Sequence, residues 1–363
     1  MKKILIILML FIMLLPAKTL NQKIANMFIL GFYGNKISTG SKIYHDICDV
    51  GLGGVLLFDR DPSNHKKSKN ISSPSQLERL TKDLSSCTHK PLIAIDEEGG
   101  LVQRLKVRDG FLRQYPKASK LKYRGKSYAK RIYHQMAKEL HGLGINYNFA
   151  PVADLAINPR NKVIFKTGRS FGKDPETVAS YDKIFIDAMR SENILTSLKH
   201  FPGHGSSLGD THKGFVDVSK LWNKIELKPY EYLNDLNDID SIMVAHIFNR
   251  NLDSRYPASL SHKTIDGLLR KRLMYKGVVI SDDMQMYAIS KHYTLQKSIK
   301  LAINAGVDII LFGNQLAPGH EVNISQLVNI TRRLIARGEV SVSKIDIANR
   351  HINTMRAKIG LGI

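Results

Sequence analysis

Eight short apolar runs rich in Val and Ile recur along this chain, separated by stretches with helical periodicity. They are "ILGFYG" from Ile29, "GVLLF" from Gly54, "PLIAID" from Pro91, "INYNFAPVAD" from Ile145, "ILTSLKHF" from Ile194, "SIMVAHI" from Ser241, "GVVISDD" from Gly277 and "VDIILFG" from Val307. Amphipathic helices are predicted over 127–143, 175–190 and 265–273. Strand alternating with helix implies a mainly parallel sheet. Eight such units in a chain of 363 residues predict a single-domain (β/α)8 TIM-type barrel, with a doubly wound sheet as the alternative.

The polar residues fall into register with those runs. Asp96, Asp154, Lys199, His200, His246, Asp282 and Asn314 sit at or just beyond the C-terminal ends of the runs. That is where barrel enzymes gather catalytic groups from many strands. Any one of them alone reads as a helix cap or a loop bond. Together they predict one shared cleft.

The densest polar stretch is "KHFPGHGSSLGDTH", Lys199 to His212. His200, His204, Asp210 and His212 are all competent zinc ligands. Pro202 and Gly203 interrupt the helical i,i+4 spacing that a zinc helix needs, so no metal is expected. No strand-to-helix P-loop is present either, and the glycines read as hinges of a long exposed loop. Acid/base chemistry remains. Asp210 and His212 can meet through one ring nitrogen, leaving the other for a substrate, or they can form a turn bond that only shapes the loop. In "VVISDDMQM", Asp282 and Asp283 would point to opposite sides if the strand continued, so that one faces the cleft. A cleft carboxylate opposed by a proton donor, with cations nearby to hold hydroxyls, is what glycoside cleavage requires.

Lysine and arginine outnumber aspartate and glutamate by 54 to 32, a formal charge of +22. The basic residues are scattered, with no polybasic run interleaved with aromatics. This excludes a dedicated nucleic-acid surface and leaves a solvated basic face with some attraction to anionic polymers. At the N-terminus, Lys2 and Lys3 precede the apolar run Ile4 to Leu15 and then Pro16 and Ala17. Residues 1–20 are therefore expected to be an export signal or an uncleaved anchor, and residues 21–363 the barrel. Leu15 and Lys18 flank Ala17 where a cleavage site wants small residues, so membrane attachment stays open. Cys48 and Cys87 can pair after export or remain free thiols.

Ordered blocks carry a family resemblance: "GLGGVLLF", "IAIDEEGGLVQRL", "NFAPVADLAINPR", "GRSFGKDPETV", "KHFPGHGSSLGDTH", "VAHI" with "PASLS", "GVVISDDMQM" and "NAGVDIILFGN". The chain resembles the family 3 glycoside hydrolases, and within them the NagZ-type β-N-acetylglucosaminidases (β-hexosaminidases). By this resemblance, Asp282 matches the nucleophile that forms a covalent glycosyl-enzyme, and His212 with Asp210 matches the acid/base dyad. Asp96, Arg104, Arg169, Lys199 and His200 match positions that grip a non-reducing N-acetylglucosamine, and Glu98 would order the "EEGG" loop. No cofactor is expected, and a monomer is.

Three departures accompany the resemblance. Gram-negative members typically act in the cytoplasm, whereas the leader here predicts export to the periplasm, soluble or membrane-anchored. Glu97 stands where members often carry glutamine and is expected to add negative charge beside Asp96. Only about 80 residues follow Asp282, which is expected to complete a barrel without the second domain of longer members. Two rival readings are a phosphorylase, since a histidine acid/base avoids repelling phosphate, and a non-catalytic sugar-binding protein.

Overall fold

The computed structural model describes residues 18–316 and 319–361. The apolar run Ile4 to Leu15 lies outside the described residues. All eight apolar runs form strands: β1 (Phe28–Gly31), β2 (Gly54–Leu56), β3 (Leu92–Ile95), β4 (Tyr147–Asn148), β5 (Leu195–Phe201), β6 (Ser241–Val244), β7 (Val278–Ser281) and β8 (Ile310–Phe312). Neighbours pair in parallel in chain order, and β1 also pairs with β8. The ring closes between β7 and β8 through a parallel bridge from Ile280 to Ile309, with Ser281 N donating to Ile309 O at 2.9 Å. The fold is a (β/α)8 barrel. Every strand residue is buried. One face packs the barrel interior and the other packs the helices, so the strands read as continuous apolar runs rather than alternating ones.

Two helices fall where periodicity places them, Lys126–Gly142 and Pro175–Arg190. The second starts on a strong signal: Pro175 occupies its first turn, and the carboxylate of Asp174 accepts from Thr177 N at 2.8 Å. The predicted 265–273 helix is Lys263–Arg272, wound in the wider π form. The β4 run is shorter than its apolar pattern, because Pro151 has no N–H to give a ladder. A single parallel bridge from Val152 to Lys199 continues the contact with β5.

Cys48 and Cys87 are joined in a disulfide with their Cα atoms 5.3 Å apart, tying the end of helix Lys42–Cys48 to the segment after helix Pro74–Leu84. Of the two alternatives open to the cysteines, the structure adopts the paired one. No helix among the described residues is long and apolar enough to cross a membrane.

The β1–β8 seam depends on a close backbone approach. A Cβ on Gly31 would overlap the carbonyl of Gly313. Gly31→Ala should therefore lower stability by roughly 1–3 kcal/mol, read as the midpoint of urea unfolding. Gly40, which has open space around it, serves as the comparison, and equal midpoints for the two alanine variants would contradict this view of the seam.

Candidate active site

A cavity of about 310 Å³ opens at the C-terminal mouth of the barrel. Seven of the eight residues expected in the site line it. Asp96 and Arg104 come from the segment after β3, and Arg169 from the loop after β4. Lys199 and His200 come from β5, His212 from the loop after it, and Asp282 from the end of β7. Asp210 stands behind His212, in an adjoining recess. Lys199 and His200 are consecutive, so regular alternation would send them to opposite faces. The β5–β6 register shifts between Lys199 and Phe201. That bulge brings both side chains to the mouth.

Charges in the mouth are interlocked. The ammonium of Lys199, 3 % exposed, lies 3.0 Å from Asp96 and 2.7 Å from Glu98. Arg104 holds the other oxygen of Asp96 at 3.1 Å. Arg169 grips Glu98 with two parallel bonds, Nε to Oε2 at 2.8 Å and Nη2 to Oε1 at 2.7 Å. Burial alone would raise both carboxyls, but the cations win: Asp96 is held far below the usual carboxylate range, and Glu98 is lowered to about 2. His200 Nδ1 sits 2.6 Å from the buried carboxylate of Asp154, which can only accept. Nε2 faces the Arg169 guanidinium, with Nη2 at 3.4 Å.

The "KHFPGHGSSLGDTH" loop, read as exposed from its glycines, is exposed only near its tip. Its base is buried and pinned: Glu226 Oε2 accepts from Gly205 N at 2.9 Å and Ser206 N at 3.2 Å, and Asp154 Oδ1 accepts from His204 N at 2.7 Å. Asn161 donates to the carbonyls of His204 and Gly205. A Cβ on Gly205 would overlap the Leu155 carbonyl, so this glycine serves close packing rather than hinging. The tip is exposed. There Asp210 Oδ1 accepts from His212 N at 3.0 Å and lies 2.9 Å from His212 Nδ1. His212 is 56 % exposed at its side chain, and its Nε2 has no bonded partner among the described residues. The bond to His212 N shapes the turn, and the contact with Nδ1 orients the ring.

Strand alternation does not separate Asp282 from Asp283. The strand ends at Ser281, and both carboxylates reach the cavity wall. Their environments differ instead. Asp283 accepts from Gln285 N at 3.0 Å within a turn, and burial raises it to about 6. Burial also works against ionisation of Asp282, yet the neighbouring His246, His200 and His212 hold it below the usual range. Of the two, Asp282 is the more readily ionised.

Phe58 escaped the sequence reading, and Asp154, His246 and Asn314, expected in the shared cleft, stand behind its wall instead. Glu98 is a buried strut between Arg169 and Lys199 rather than only a loop organiser, and Asp154 sets the orientation of His200. Phe58 lines the cavity with the Arg104 guanidinium 5.3 Å from its ring centre. His246 is buried, bonded to Ser259 Oγ and the Asp283 carbonyl, and Asn314 ties β8 to the Gly31 carbonyl. Both brace the mouth from behind. Glu97 does not add the expected charge beside Asp96. It is fully buried, accepts from Arg104 N and Leu105 N, and burial raises its carboxyl to about 8. At neutral pH it is therefore mostly uncharged, much as a glutamine would be.

A carboxylate and a carboxylate-oriented imidazole facing one cavity at a barrel mouth are an arrangement suited to glycoside cleavage. The chain matches the model of the glycosyl hydrolase family 3 N-terminal domain over residues 19–355, and it belongs to that family. It is 36 % identical over 272 residues to the β-hexosaminidase of Tolumonas auensis, covering 73 % of this chain and 77 % of that one. The β-hexosaminidase of Haemophilus ducreyi is 35 % identical over 274 residues, covering 73 % and 75 %. Among solved structures, the family 3 β-N-acetylglucosaminidase of a Paenibacillus species superposes with a TM-score of 0.83 at 29 % identity, covering 95 % of this chain. This chain spans 63 % of that protein's length.

Glu97 yields a pH prediction. The folded chain keeps this proton up to about pH 8, whereas an unfolded chain releases it near the ordinary value of 4.5. Stability attributable to this group is therefore lost as pH rises between those values. Glu97→Gln should raise the thermal midpoint relative to the parent by more at pH 8 than at pH 5. The same difference at both pH values would show that Glu97 stays ionised.

Proposed function

We propose that the protein is an exo-acting, retaining β-N-acetylglucosaminidase that removes terminal non-reducing β-linked N-acetylglucosamine from peptidoglycan fragments or related glycans. One observation carries this reading: Asp282, held ionised, and His212, oriented by Asp210, line the same cavity. Asp96, Arg104, Arg169, Lys199 and His200 hold the sugar, with cations and a carboxylate bonding its hydroxyls and acetamido group. Their interlocking limits movement when the sugar arrives, which favours a prepositioned transition state.

In the first step, Asp282 attacks the anomeric carbon while His212 Nε2 gives a proton to the departing oxygen. The bond to the leaving group breaks as the glycosyl–Asp282 ester forms. Asp210 stabilises the imidazolium before the transfer and keeps Nδ1 protonated after it. Neutral His212 then takes a proton from water, which attacks the anomeric carbon and releases Asp282. Two inversions leave the β configuration unchanged. Phosphate in place of water would make the enzyme a phosphorylase, with a sugar phosphate as product.

The site of action in this reading lies outside the cytoplasm, in the periplasm or at the membrane. Lys2, Lys3 and the Ile4 to Leu15 run support it, as does the Cys48–Cys87 disulfide, since such bonds persist in oxidising compartments. Fractionation of the native host should recover the chain in the periplasmic or membrane fraction, and recovery only in soluble cytoplasm would refute export.

Substitutions separate the catalytic roles. Asp282→Asn should abolish turnover on every substrate, because an amide is a poor nucleophile for the anomeric carbon. Asp283→Asn should keep much more activity, since its oxygen can still accept from Gln285 N. His212→Ala should slow disaccharide cleavage about 10²-fold to 10⁴-fold and an activated aryl glycoside far less, because a good leaving group needs little protonation. Equal losses on both substrates would make His212 structural, and an α product would exclude double displacement.

A further inference from the structure

One buried cation at the mouth of the barrel takes no part in the acid/base or nucleophilic chemistry. Lys69 is 2 % exposed and has no carboxylate within ion-pair distance among the described residues. It ends an excursion of the chain after β2 that closes on itself: Asn70 N donates to the Phe58 carbonyl at 3.0 Å, and Phe58 N donates to Asn70 Oδ1 at 3.0 Å. Asn70 Nδ2 also reaches the carbonyls of Phe32 and Gly34 after β1. The Lys69 ammonium lies over the Tyr33 and Phe58 rings, 4.6 and 4.9 Å from their centres. It donates to the Gly313 carbonyl at 3.3 Å, to the Asn314 carbonyl and to Gln315 Oε1 at 3.0 Å. An ammonium has three donors, so this one directs its full set at a single short segment after β8.

That segment is what the turn bearing the two aspartates rests on. Asn314 N donates to Gln285 Oε1 at 2.6 Å, Gln285 N donates to Asp283 Oδ1 at 3.0 Å, and Asp283 N donates to Asp282 Oδ1 at 2.8 Å. Asp283 also lies against Gly313, where a Cβ would stand 2.6 Å from Oδ2. Phe58 and Gln315 line the catalytic cavity, whereas Lys69 does not. An unbroken set of contacts thus runs from Lys69 through Gly313–Gln315 to the Asp282 carboxylate.

Resting on the glycosidase reading above, we propose that Lys69 is a positioning residue for the nucleophile, holding Gly313–Gln315 where that segment fixes the Asp283 turn and so the aim of Asp282. Small misplacements of a reacting group cost rate steeply. The hold depends on charge. Burial lowers the ammonium to about 8, against the pull of Asp283, Asp61 and Glu321. Tyr33, which burial and Glu321 raise to about 12, stays neutral, and Arg104 stands over the same Phe58 ring. A neutral amine keeps two donors and turns a lone pair toward an acceptor, so the hold weakens as pH rises through that value.

The experiment reads attack by Asp282 directly. A fluorinated N-acetylglucosaminyl donor with an activated leaving group needs little proton from His212, and its ester accumulates. The maximal labelling rate, the half-saturating donor concentration and the final labelled fraction are followed by mass. Lys69→Met should slow the maximal rate about tenfold to a hundredfold, with the half-saturating concentration changing far less and the final fraction matching the parent. The parent rate should fall between about pH 7 and about pH 9, and the Lys69→Met rate should not. Glu97, also raised to about 8, is separated by Glu97→Gln, in which the fall should persist. A smaller labelled fraction in Lys69→Met, with the parent's rate and pH profile in the remaining molecules, would make Lys69 merely structural and overturn the proposal. Should Lys69→Met not fold, the parent decides: a fall that survives Glu97→Gln supports the proposal, and a level rate overturns it. Labelling of Lys69→Met at the parent's rate would overturn the positioning role alone, whereas a parent that takes no label on Asp282 would overturn the glycosidase reading beneath it.

Discussion

The buried ammonium of Lys199 is the joint on which the mouth of the barrel is assembled. Taking a charge out of water costs several kcal/mol, and only close, well-placed partners offset it. Lys199 finds them in Asp96 and Glu98, both on the segment after β3, and Glu98 in turn holds Arg169 from the loop after β4. Three consecutive strands are thereby linked through one run of alternating charge. Removing a member strips a buried charge of one of its partners, so the same contacts that fix the cavity-facing groups also make the arrangement hard to loosen.

The loop after β5 applies the opposite strategy to its two halves. Its base is tied by Glu226, Asp154 and Asn161, and packed too tightly for a side chain at Gly205. Its tip carries His212 and Asp210 in solvent, held to one another by two bonds. In the proposed mechanism, an acid/base that serves first a leaving oxygen and then a water gains from this combination. The anchor limits where the ring can be, and the exposed tip lets reactants reach Nε2.

Much of the barrel was legible in the sequence because its strands are buried on both faces, which writes each as an unbroken apolar run. Polar residues at the ends of those runs marked the mouth for the same reason. What stayed hidden depends on contacts between distant segments. The bulge that turns both Lys199 and His200 into the cavity has no local signal, and neither has the role of Glu98, whose partners lie 71 and 101 positions away in the chain. The neutrality of Glu97 follows from complete burial, so composition suggested a charge where the fold removes one. Asp282 and Asp283 are alike in sequence. They differ through the turn that engages Asp283 and the histidines that surround Asp282.

The central claim is that Asp282, alone among the carboxylates of the mouth, bonds covalently to the sugar. Incubation with a fluorinated N-acetylglucosaminyl donor that forms its ester quickly and loses it slowly should add the mass of one sugar to the protein. Fragmentation of the digested peptide should then place that mass on Asp282. Placement on Asp283, or continued turnover with no covalent adduct, would contradict the account.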